Sequence, residues 1–411
     1  LLAEADIALG TGESVVARAS RLIEAIRAQQ KDGAGISALL HEYSLSSREG
    51  VVLMCLAEAL LRVPDSLTAD RLIRDKIGDG DWQSHVGASH SLFVNASAWG
   101  LLLTGKVVQL RGEESESAWT MLRRTVARAG EPAIRAAMRL AMRIMGTQFV
   151  LGTDIDSALE KSRPWIARGY RYSYDMLGEG ARDATSARDY FEDYCRALTA
   201  VGRTAGSSGP AEGPGCSVKL SALHPRVEDL HAARLHRELL PRLTELARIA
   251  RNARIGLTID AEEANRLDLT LGLFEALYRD PSLRDWDGLG LAVQAYLKAA
   301  PAVIEWLDTL AARGGRRIMV RLVKGAYWDA EIKHAQTLGL AGYPVYTRKA
   351  SSDLFWLACA ARLLAARERL YPQFATHNAH SACSVLELAG TRGGYEFQRL
   401  HGMGEALYEE L

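Results

Sequence analysis

Several polar side chains interrupt or follow short apolar runs in the second half of the chain. These residues are Lys219 in SVKLSAL, Asp260 at the end of LTID, Gln294 in AVQAY, Arg321 in IMVRLV, and Thr376, His377 and Asn378 after QFA. A lysine and an arginine together favour an anionic or carboxylate ligand, and an aspartate beside them can balance charge or orient a substrate amine. No nucleophile and base stand together in this set. A bound cofactor would therefore have to carry any difficult chemistry.

Arg321 interrupts a run that otherwise has the character of a buried strand. Side chains alternate across a strand, so Met319, Arg321 and Val323 share one face. A guanidinium on a core face needs an anion or a polar ligand, because an unpaired buried charge costs several kcal/mol. Gly325 lacks a side chain where the run ends, which would let a flat ligand or a phosphate approach the backbone. The alternative is an arginine paired with a carboxylate of the core.

Each of the other candidates also has a purely structural interpretation. Lys219 could extend its charged end to solvent along apolar neighbours, Asp260 could cap a helix, and His377 could be a satisfied core histidine. In a barrel of parallel strands, however, ligands bind at the carboxyl ends of the strands. Because so many polar residues coincide at such predicted ends, we expect a site there.

The elements that must position these residues are short strand-like runs that alternate with long amphipathic helices after Pro164. This alternation is typical of a parallel α/β fold. Eight β/α units in roughly 240 residues match a (β/α)8 TIM barrel. The eight predicted strands are Tyr170–Asp175, Cys216–Leu223, Ile255–Asp260, Leu289–Tyr296, Arg317–Gly325, Pro344–Arg348, Gln373–Asn378 and Tyr395–Met403. Helices are predicted between them, for example over Leu235–Asn252, where Pro241 could restart the helix.

Helical spacing of apolar residues dominates the chain before the barrel. We predict three parts: a helical arm and α-helical region over residues 1–110, a helical linker over 111–165, and the barrel over 166–411. The predicted fold class is therefore α/β, a TIM barrel preceded by an α-helical N-terminal region.

Composition argues against several classes of protein. Lysine plus arginine equal aspartate plus glutamate at 50 each, so no basic field indicates a nucleic-acid partner. Five scattered cysteines show neither a paired framework nor metal-ligand spacing, which favours a reducing, cytoplasmic compartment and predicts no metal site. No stretch has the character of a signal peptide or a membrane span, and the first residue is Leu1, so we expect a piece of a longer protein.

The motifs also carry a family resemblance. SVKLSALHPR, TIDAEE, GLAVQAY, RLVKGAYWD, PVYTRK, FATHN and YEFQRLHGMGE occur in this order, and SLFVNASAWGLLLTGK precedes them. In these motifs the chain resembles the proline dehydrogenase domain of proline utilisation A, a bifunctional bacterial protein. The resemblance implies a distorted (β/α)8 barrel that binds FAD non-covalently and oxidises L-proline to Δ1-pyrroline-5-carboxylate by hydride transfer to flavin N5. It also implies a membrane quinone as electron acceptor and an aldehyde dehydrogenase domain elsewhere in the parent chain.

The resemblance assigns roles to individual residues. Lys219 resembles the lysine near the proline carboxylate, Asp260 the aspartate beside substrate and flavin, and Arg321 the arginine that faces flavin N5. Tyr327 and Leu400 resemble substrate-packing positions, and Glu179 resembles a glutamate that closes the site by pairing with a substrate-binding arginine. The positions that would hold FAD are Asp260, Gln294, Arg321, Val323, Gly325, Ala326, Trp328, Thr347, Lys349, Thr376, His377 and Asn378. The family places two carboxylate-clamping arginines on a final helix after the eighth strand, which this sequence does not reach.

Two other functions remain open. A Schiff-base aldolase would use Lys219 or Lys324, since barrel lysines can serve as desolvated nucleophiles. A non-enzymatic docking or membrane-association module would carry an inert barrel behind its helical part. A homo-oligomer, and peripheral contact with the inner face of the cell membrane, are compatible with the resemblance.

Overall fold

The structure is a computed structural model that describes residues 12–30, 150–176 and 180–411. Helix α1, Gly12–Gln30, begins the described part and buries Val15, Ala19 and Leu22 at helical spacing. The predictions for residues 31–149, which cover most of the helical region and of the linker, lie outside the described residues, as does Glu179. None of the described helices is both long and apolar enough to cross a membrane.

A sheet of seven parallel strands organises residues 173–398, and its strand order follows the chain from β1 to β7. The predicted α/β class and its parallel, barrel-like sheet are thereby confirmed. The strands are β1 Ser173–Asp175, β2 Gly215–Val218, β3 Gly256–Ile259, β4 Leu289–Gln294, β5 Ile318–Val323, β6 Leu370–Ala375 and β7 Glu396–Gln398.

Helices connect the strands and cover the outer face of the sheet, as a parallel sheet requires. The described helices after α1 are α2 Ile155–Ile166, α3 Ala184–Thr204, α4 Leu220–Leu223, α5 Ala232–Glu238, α6 Leu240–Ala253, α7 Leu267–Tyr278, α8 Ala300–Gly314, α9 Trp328–Thr337, α10 Lys349–Ala365, α11 Ala379–Ala389 and α12 Glu405–Glu410. Short 3-10 helices lie at Asp229–His231, Ala264–Arg266 and Pro281–Leu283.

The helix predicted over Leu235–Asn252 is present as two consecutive helices, α5 and α6. Pro241 occupies the first turn of α6, where its missing N–H leaves no hydrogen bond unmade. Leu243, Leu246 and Ala250 of α6 are fully buried and repeat at the spacing of one helix face. The predicted restart at Pro241 is therefore confirmed, and the apolar face continues across it.

The sheet curls until its first and last strands meet around one side chain. Arg321 in β5 donates from Nη2 to Ser173 Oγ in β1 and from Nε to Gln398 Oε1 in β7, both over 2.8 Å. In a flat sheet β1 and β5 would lie four strand spacings apart, about 19 Å. A single guanidinium can reach both edge strands only because the sheet curls into an almost closed, incomplete barrel.

The run Pro344–Arg348 does not form the predicted sixth strand, because β5 pairs directly with β6. Val345 instead makes an isolated antiparallel bridge with Leu297, just beyond β4. The backbone N–H of Tyr346 donates to the carbonyl of Tyr296 over 2.9 Å. Val345 is fully buried against this segment. The apolar run is thus explained by packing beside the end of β4 rather than by a place in the sheet.

A buried arginine just before β5 ties two connecting segments to the sheet. The Arg316 guanidinium lies 4.1 Å from the centre of the Tyr278 ring and donates to the carbonyls of Tyr278, Leu283 and Trp286. The Tyr278 hydroxyl donates back to the carbonyl of Arg316 over 2.7 Å. Carbonyl dipoles rather than a carboxylate therefore compensate this buried charge.

Arg316→Met is expected to lower the free energy of unfolding by about 3 kcal/mol, because it removes three hydrogen bonds to buried carbonyls at roughly 1 kcal/mol each. Chemical denaturation followed by far-UV circular dichroism measures this loss. Arg313→Met, at the exposed end of α8, is the control and should change stability by no more than about 0.5 kcal/mol. Equal losses in both variants would contradict the role of the carbonyl contacts.

Candidate active site

The register of the sheet gathers polar side chains on its concave face. Asp175, Ser217 and Thr258 pair in register across β1, β2 and β3. Arg321, Gln373 and Glu396 do the same across β5, β6 and β7. Residues directly opposite each other in neighbouring strands point to the same side of a sheet. The interior of the incomplete barrel is consequently polar, unlike the outer face that packs against helices.

Lys219 lies between two carboxylates at the carboxyl ends of the first three strands. Its Nζ is 3.1 Å from Asp260 Oδ2 and 3.1 Å from Asp175 Oδ2. Lys219 keeps only 8% of its surface exposed and Asp260 keeps 9%. Such burial requires the charges to be paired. Lys219 is therefore a buried ion-pair partner and not a lysine that extends to solvent.

Asp260 is shared between the two cations of the site. Its Oδ1 accepts a hydrogen bond from Arg321 Nη1 over 2.8 Å, while its Oδ2 faces Lys219. Arg321 thus pairs with a carboxylate of the core, as the alternative interpretation expects. That carboxylate, Asp260, is itself one of the residues predicted to form the ligand site. The cluster of Lys219, Arg321, Asp175 and Asp260 carries two positive and two negative formal charges. An arriving ligand must compete with contacts that already balance charge.

Arg321 uses all three of its donor positions inside the barrel. Nη1 donates to Asp260, Nη2 to Ser173 and Nε to Gln398. These partners come from β3, β1 and β7, so the guanidinium is held from three directions. The face predicted for Arg321 from strand alternation is confirmed.

A buried tyrosine backs this cluster from helix α3. Tyr194 is 2% exposed, and burial is the main cause that raises the pKa of its phenol, with the negative charge of Asp175 acting in the same direction. The Tyr194 hydroxyl therefore stays protonated beside Lys219. It supplies a wall to the site rather than a base.

Gln294 joins the loops that follow β3 and β5. Its Nε2 donates to the carbonyl of Glu262 over 2.9 Å, and its Oε1 accepts from the N–H of Ala326 over 3.2 Å. The side chain is 2% exposed. In the structure Gln294 thus positions the predicted cofactor-binding loop at Gly325 and Ala326.

Gly325 is required by its conformation and by its neighbour. Its φ is +138°, and a Cβ at this position would lie 2.2 Å from the Tyr296 ring. The sequence predicts that this missing side chain lets a ligand approach the backbone. In the structure, the ring of Tyr296 fills the space.

The Thr376–Asn378 motif connects β6 to helix α11. Asn378 caps this helix by accepting from the N–H of Ser381 over 2.9 Å, and Thr376 Oγ1 accepts from the N–H of Asn378. His377 Nε2 accepts from the N–H of Leu400 over 3.0 Å. Burial, and to a lesser degree Arg399, lowers the pKa of His377. The imidazole is therefore a neutral acceptor near neutral pH, and it positions the loop that carries Leu400.

The remaining predicted residues line the loops after β5 and before α10. Val323 and Tyr327 are half-buried, while Leu400 is 64% exposed. Trp328 donates from Nε1 to the carbonyl of Tyr346 over 2.9 Å. The exposed members of the set are Ala326, Trp328, Thr347 and Lys349. They form an open surface beside the mouth of the barrel.

Lys349 contacts a residue that was not predicted. Asp353 pairs with Lys349 through Oδ2 and with Lys324 through Oδ1, both over 2.5 Å. These lysines hold the pKa of Asp353 below its usual value against the opposing effect of burial. The pair of lysines is arranged beside one carboxylate, at the same mouth of the barrel.

Several residues that hold the predicted ones were not predicted from the sequence. They are Ser173, Asp175, Gln373, Glu396 and Gln398, all on the concave face. Alternation within SYD and EFQ places polar residues on one face, which was the available signal. Within the described residues, no group of three or more His, Cys, Asp or Glu is arranged to hold a metal ion.

The family described as proline dehydrogenase matches residues 158–411. The chain belongs to the proline dehydrogenase family. The resemblance drawn from the ordered motifs is thereby confirmed. A second family, described as the DNA-binding domain of proline dehydrogenase, matches residues 35–149, which lie outside the described residues.

Relatives of this proline dehydrogenase family member include long bifunctional proteins. The bifunctional protein PutA of Klebsiella aerogenes is 52% identical over 418 residues, which cover 100% of this chain and 32% of the relative. A mutant of Bradyrhizobium japonicum proline utilization A is similar in structure, with a TM-score of 0.70 and 52% identity over 96% of this chain and 39% of that one. Proline dehydrogenase 2 of Bacillus subtilis subsp. natto is 24% identical over 66% of this chain and 78% of its own length. The chain spans about a third of the length of the curated PutA relatives.

Proposed function

We propose that residues 166–411 form an FAD-dependent proline dehydrogenase that oxidises L-proline to Δ1-pyrroline-5-carboxylate. The observation that carries this proposal is the convergence of Lys219 and Arg321 on Asp260 at the carboxyl ends of the strands. A buried cluster of this kind at the mouth of a barrel is the usual place for ligand chemistry. Its neutral total charge suits a small amino acid that carries both a positive and a negative group.

The residues present fit a flavin at the same mouth. Arg321 is a cation held by three hydrogen bonds, and the loop at Gly325 exposes backbone that Gln294 orients. Lys324 and Lys349 lie beside the barrel mouth as candidate partners for a pyrophosphate. When bound, FAD supplies the acceptor for the hydride that leaves the ring carbon beside the proline nitrogen.

The protein's own residues then have distinct tasks. Lys219 would bind the proline carboxylate in exchange for Asp175, whose side chain is 43% exposed and can turn to solvent. Asp260 would keep Lys219 and Arg321 in place and face the substrate amine, which must give up a proton to solvent before its lone pair can form the ring C=N bond. Arg321 would stabilise negative charge that develops on the flavin, an electrostatic contribution that needs no rearrangement during the reaction. Tyr327 and Leu400 would pack against the ring.

A Schiff-base aldolase fits the geometry less well. The lysine of such an enzyme must lose its proton to act as a nucleophile. Lys219 lies between two carboxylates and Lys324 contacts Asp353, and each of these ion pairs is made by the ammonium form. The redox function therefore has the stronger support.

The absorption spectrum of the purified protein tests the proposed function. We expect flavin bands near their usual wavelengths and loss of those bands when L-proline is added without oxygen. Protein that folds correctly but stays colourless after incubation with FAD would overturn the proposal. Trapping of a carbonyl substrate by borohydride would instead support the aldolase.

Lys219→Met is expected to raise the KM for proline about tenfold, because it removes one charge-assisted hydrogen bond to the carboxylate. We expect a smaller change in kcat, since the contact exists before and during the reaction. Steady-state kinetics with a dye acceptor measures both constants. Lys161→Met, on the exposed side of α2, is the control. An unaltered KM in Lys219→Met would rule out the carboxylate contact.

The setting of this domain in the longer protein is also a proposal. We infer a cytoplasmic protein whose electrons pass to a membrane quinone, and whose parent chain carries an aldehyde dehydrogenase domain as the bifunctional relatives' names suggest. We also propose that the parts of the chain divide at residues 110 and 165. Peripheral contact with the membrane and assembly into a homo-oligomer belong to the same proposal. For residues 35–149 the family description favours contact with DNA over our expectation of no nucleic-acid partner.

A further inference from the structure

A chain of hydrogen bonds runs from Arg321 to a carboxylate that the proposed mechanism does not use. Arg321 donates from Nε to Gln398 Oε1 over 2.8 Å, and Gln398 donates from Nε2 to Glu396 Oε1 over 2.7 Å. Gln398 and Glu396 lie on the concave face of β7 and are partly buried. Glu396 is thus two hydrogen bonds away from the guanidinium.

Glu396 decides which way the Gln398 amide points. An amide has one accepting end and one donating end, whereas a guanidinium only donates and a carboxylate only accepts. With its oxygen toward Arg321 and its nitrogen toward Glu396, Gln398 satisfies both neighbours. The reverse orientation would place N–H groups against N–H groups and two oxygens against each other. Without the Glu396 carboxylate, only Arg321 would favour this orientation of the Gln398 amide.

Two further donors fix Glu396 itself. Gln373 donates from Nε2 to Glu396 Oε1 over 2.9 Å, and the Tyr371 hydroxyl donates to Oε2 over 3.2 Å. Burial and the charge of Glu396 raise the pKa of Tyr371 to about 12, so that hydroxyl remains a donor. Gln373 Oε1 is buried without a partner among the described residues. Gln373 thus turns its nitrogen to Glu396 although its oxygen is left unsatisfied, which indicates that the carboxylate dominates this part of the barrel.

We propose that Glu396 is a positioning residue for Arg321. Through Gln398, it holds the plane of the guanidinium so that Nη1 faces Asp260 and the cation points to the barrel mouth. The Gln398 bond restrains the guanidinium at Nε, and its loss leaves only the contacts of Nη1 with Asp260 and of Nη2 with Ser173 to hold the plane of the group. This inference rests on the proposed function for its catalytic consequence, although the positioning itself concerns only residues of this chain.

Three substitutions separate positioning from the charge of Glu396. Glu396→Leu removes both the charge and the acceptor, Glu396→Gln removes the charge but keeps an acceptor oxygen, and Gln398→Met keeps the charge but removes the acceptor for Nε. The matched control is Glu238→Leu with Glu238→Gln, on α5, where the carboxylate accepts from His224 and Arg234 outside the sheet. All variants are compared as flavin-loaded protein for kcat, KM and the reduction potential of the flavin, and as flavin-free protein by NMR.

Positioning predicts a specific pattern. Glu396→Leu and Gln398→Met should each lower kcat about tenfold, a typical effect of losing a partner that orients a ligand-contacting side chain. Their flavin potential should become more negative, because the cation that favours reduced flavin is displaced. Glu396→Gln should rescue kcat and show a potential that is unchanged or more positive, since a negative charge is gone while Arg321 stays in place. The Glu238 variants should resemble the wild type.

The flavin-free measurement keeps this inference separate from the proposed function. In protein labelled with nitrogen-15 arginine, the side-chain N–H signal of Arg321 is assigned by its loss in Arg321→Met. Its exchange with water should accelerate in Glu396→Leu and Gln398→Met but not in Glu396→Gln. Unchanged exchange in all variants, or equal shifts of potential in Glu396→Leu and Glu396→Gln, would overturn the positioning role. Wild-type protein that binds no flavin would overturn the proposed function. The exchange rate of the Arg321 side-chain N–H would then still decide whether Glu396 positions Arg321.

Discussion

Arg321→Met is expected to lose flavin and turnover together, with kcat/KM for proline at least about 100-fold lower, the usual effect of removing a preorganised electrostatic group. Arg321 contacts β1, β3 and β7 through its three donor positions, so methionine replaces a fixed cation with a flexible apolar chain. The flavin-to-protein absorbance ratio after gel filtration and steady-state kinetics measure the two losses.

The control for Arg321→Met is a second arginine near the same strand. Arg317 precedes β5, stacks on the Tyr371 ring at 4.9 Å and donates to backbone carbonyls. Arg317→Met should retain flavin and turnover even where it lowers the melting temperature. Arg321→Met protein with normal flavin content and normal turnover would remove the role assigned to this guanidinium.

Asp260→Ala is expected to reduce the free energy of unfolding by about 3 kcal/mol, because breaking a buried ion pair leaves uncompensated charge. Its side chain is 11% exposed and serves Lys219 and Arg321 at once. Asp175 would still pair with Lys219, but Arg321 would lose its contact with the Asp260 carboxylate. We also expect proline-dependent flavin reduction to fall by at least about 100-fold. Urea denaturation and anaerobic stopped-flow absorbance measure these effects.

A carboxylate on the outer surface provides the comparison for Asp260. Asp308 binds Arg369 through both of its oxygens, at 2.6 and 2.8 Å, and the side chains of Asp308 and Arg369 are 29% and 48% exposed. Asp308→Ala should cost no more than about 1 kcal/mol and should leave flavin reduction unchanged. Similar losses of stability in the two variants would show that the site cluster is no more strongly coupled than a surface ion pair.

The convergence of Lys219, Asp260 and Arg321 was predictable because it depends on a rule of topology. Carboxyl ends of parallel strands meet at one edge, so polar residues at several strand ends must come together. Strand alternation gave the face of Arg321 for the same reason. What alternation could not give was the partner of each charge, because that depends on how far the sheet curls.

The false strand at Pro344–Arg348 shows a different limit. An apolar run signals burial, but burial can be met by any apolar neighbour. Val345 meets it beside Leu297 and Tyr296 instead of in the sheet. The same tyrosine ring fills the space above Gly325. The packing of Val345 and the contact of Tyr296 with Gly325 both join residues far apart in the sequence, so no local sequence pattern predicts them.

Gln398 and Glu396 escaped prediction because their motif, EFQ, is short and half-buried. The two-residue spacing of the glutamate and the glutamine shows only that they share one face of the strand. Their importance follows from the pairing of β7 with β6 and from the approach of Arg321 across the barrel. Neither contact is local in sequence.

The contacts of Arg321 with Ser173 and Gln398 link substrate chemistry to the mechanics of the barrel. Within the described residues, strand pairing does not join β1 to β7, so this guanidinium fastens a seam that backbone hydrogen bonds leave open. A ligand that draws the guanidinium toward itself weakens the contacts of Arg321 with Ser173 and Gln398. A ligand that leaves the guanidinium in place leaves these contacts intact. The rate of deuterium uptake by the backbone of β1 and β7 should therefore report whether a bound ligand has displaced Arg321, even when the ligand does not change the absorption spectrum.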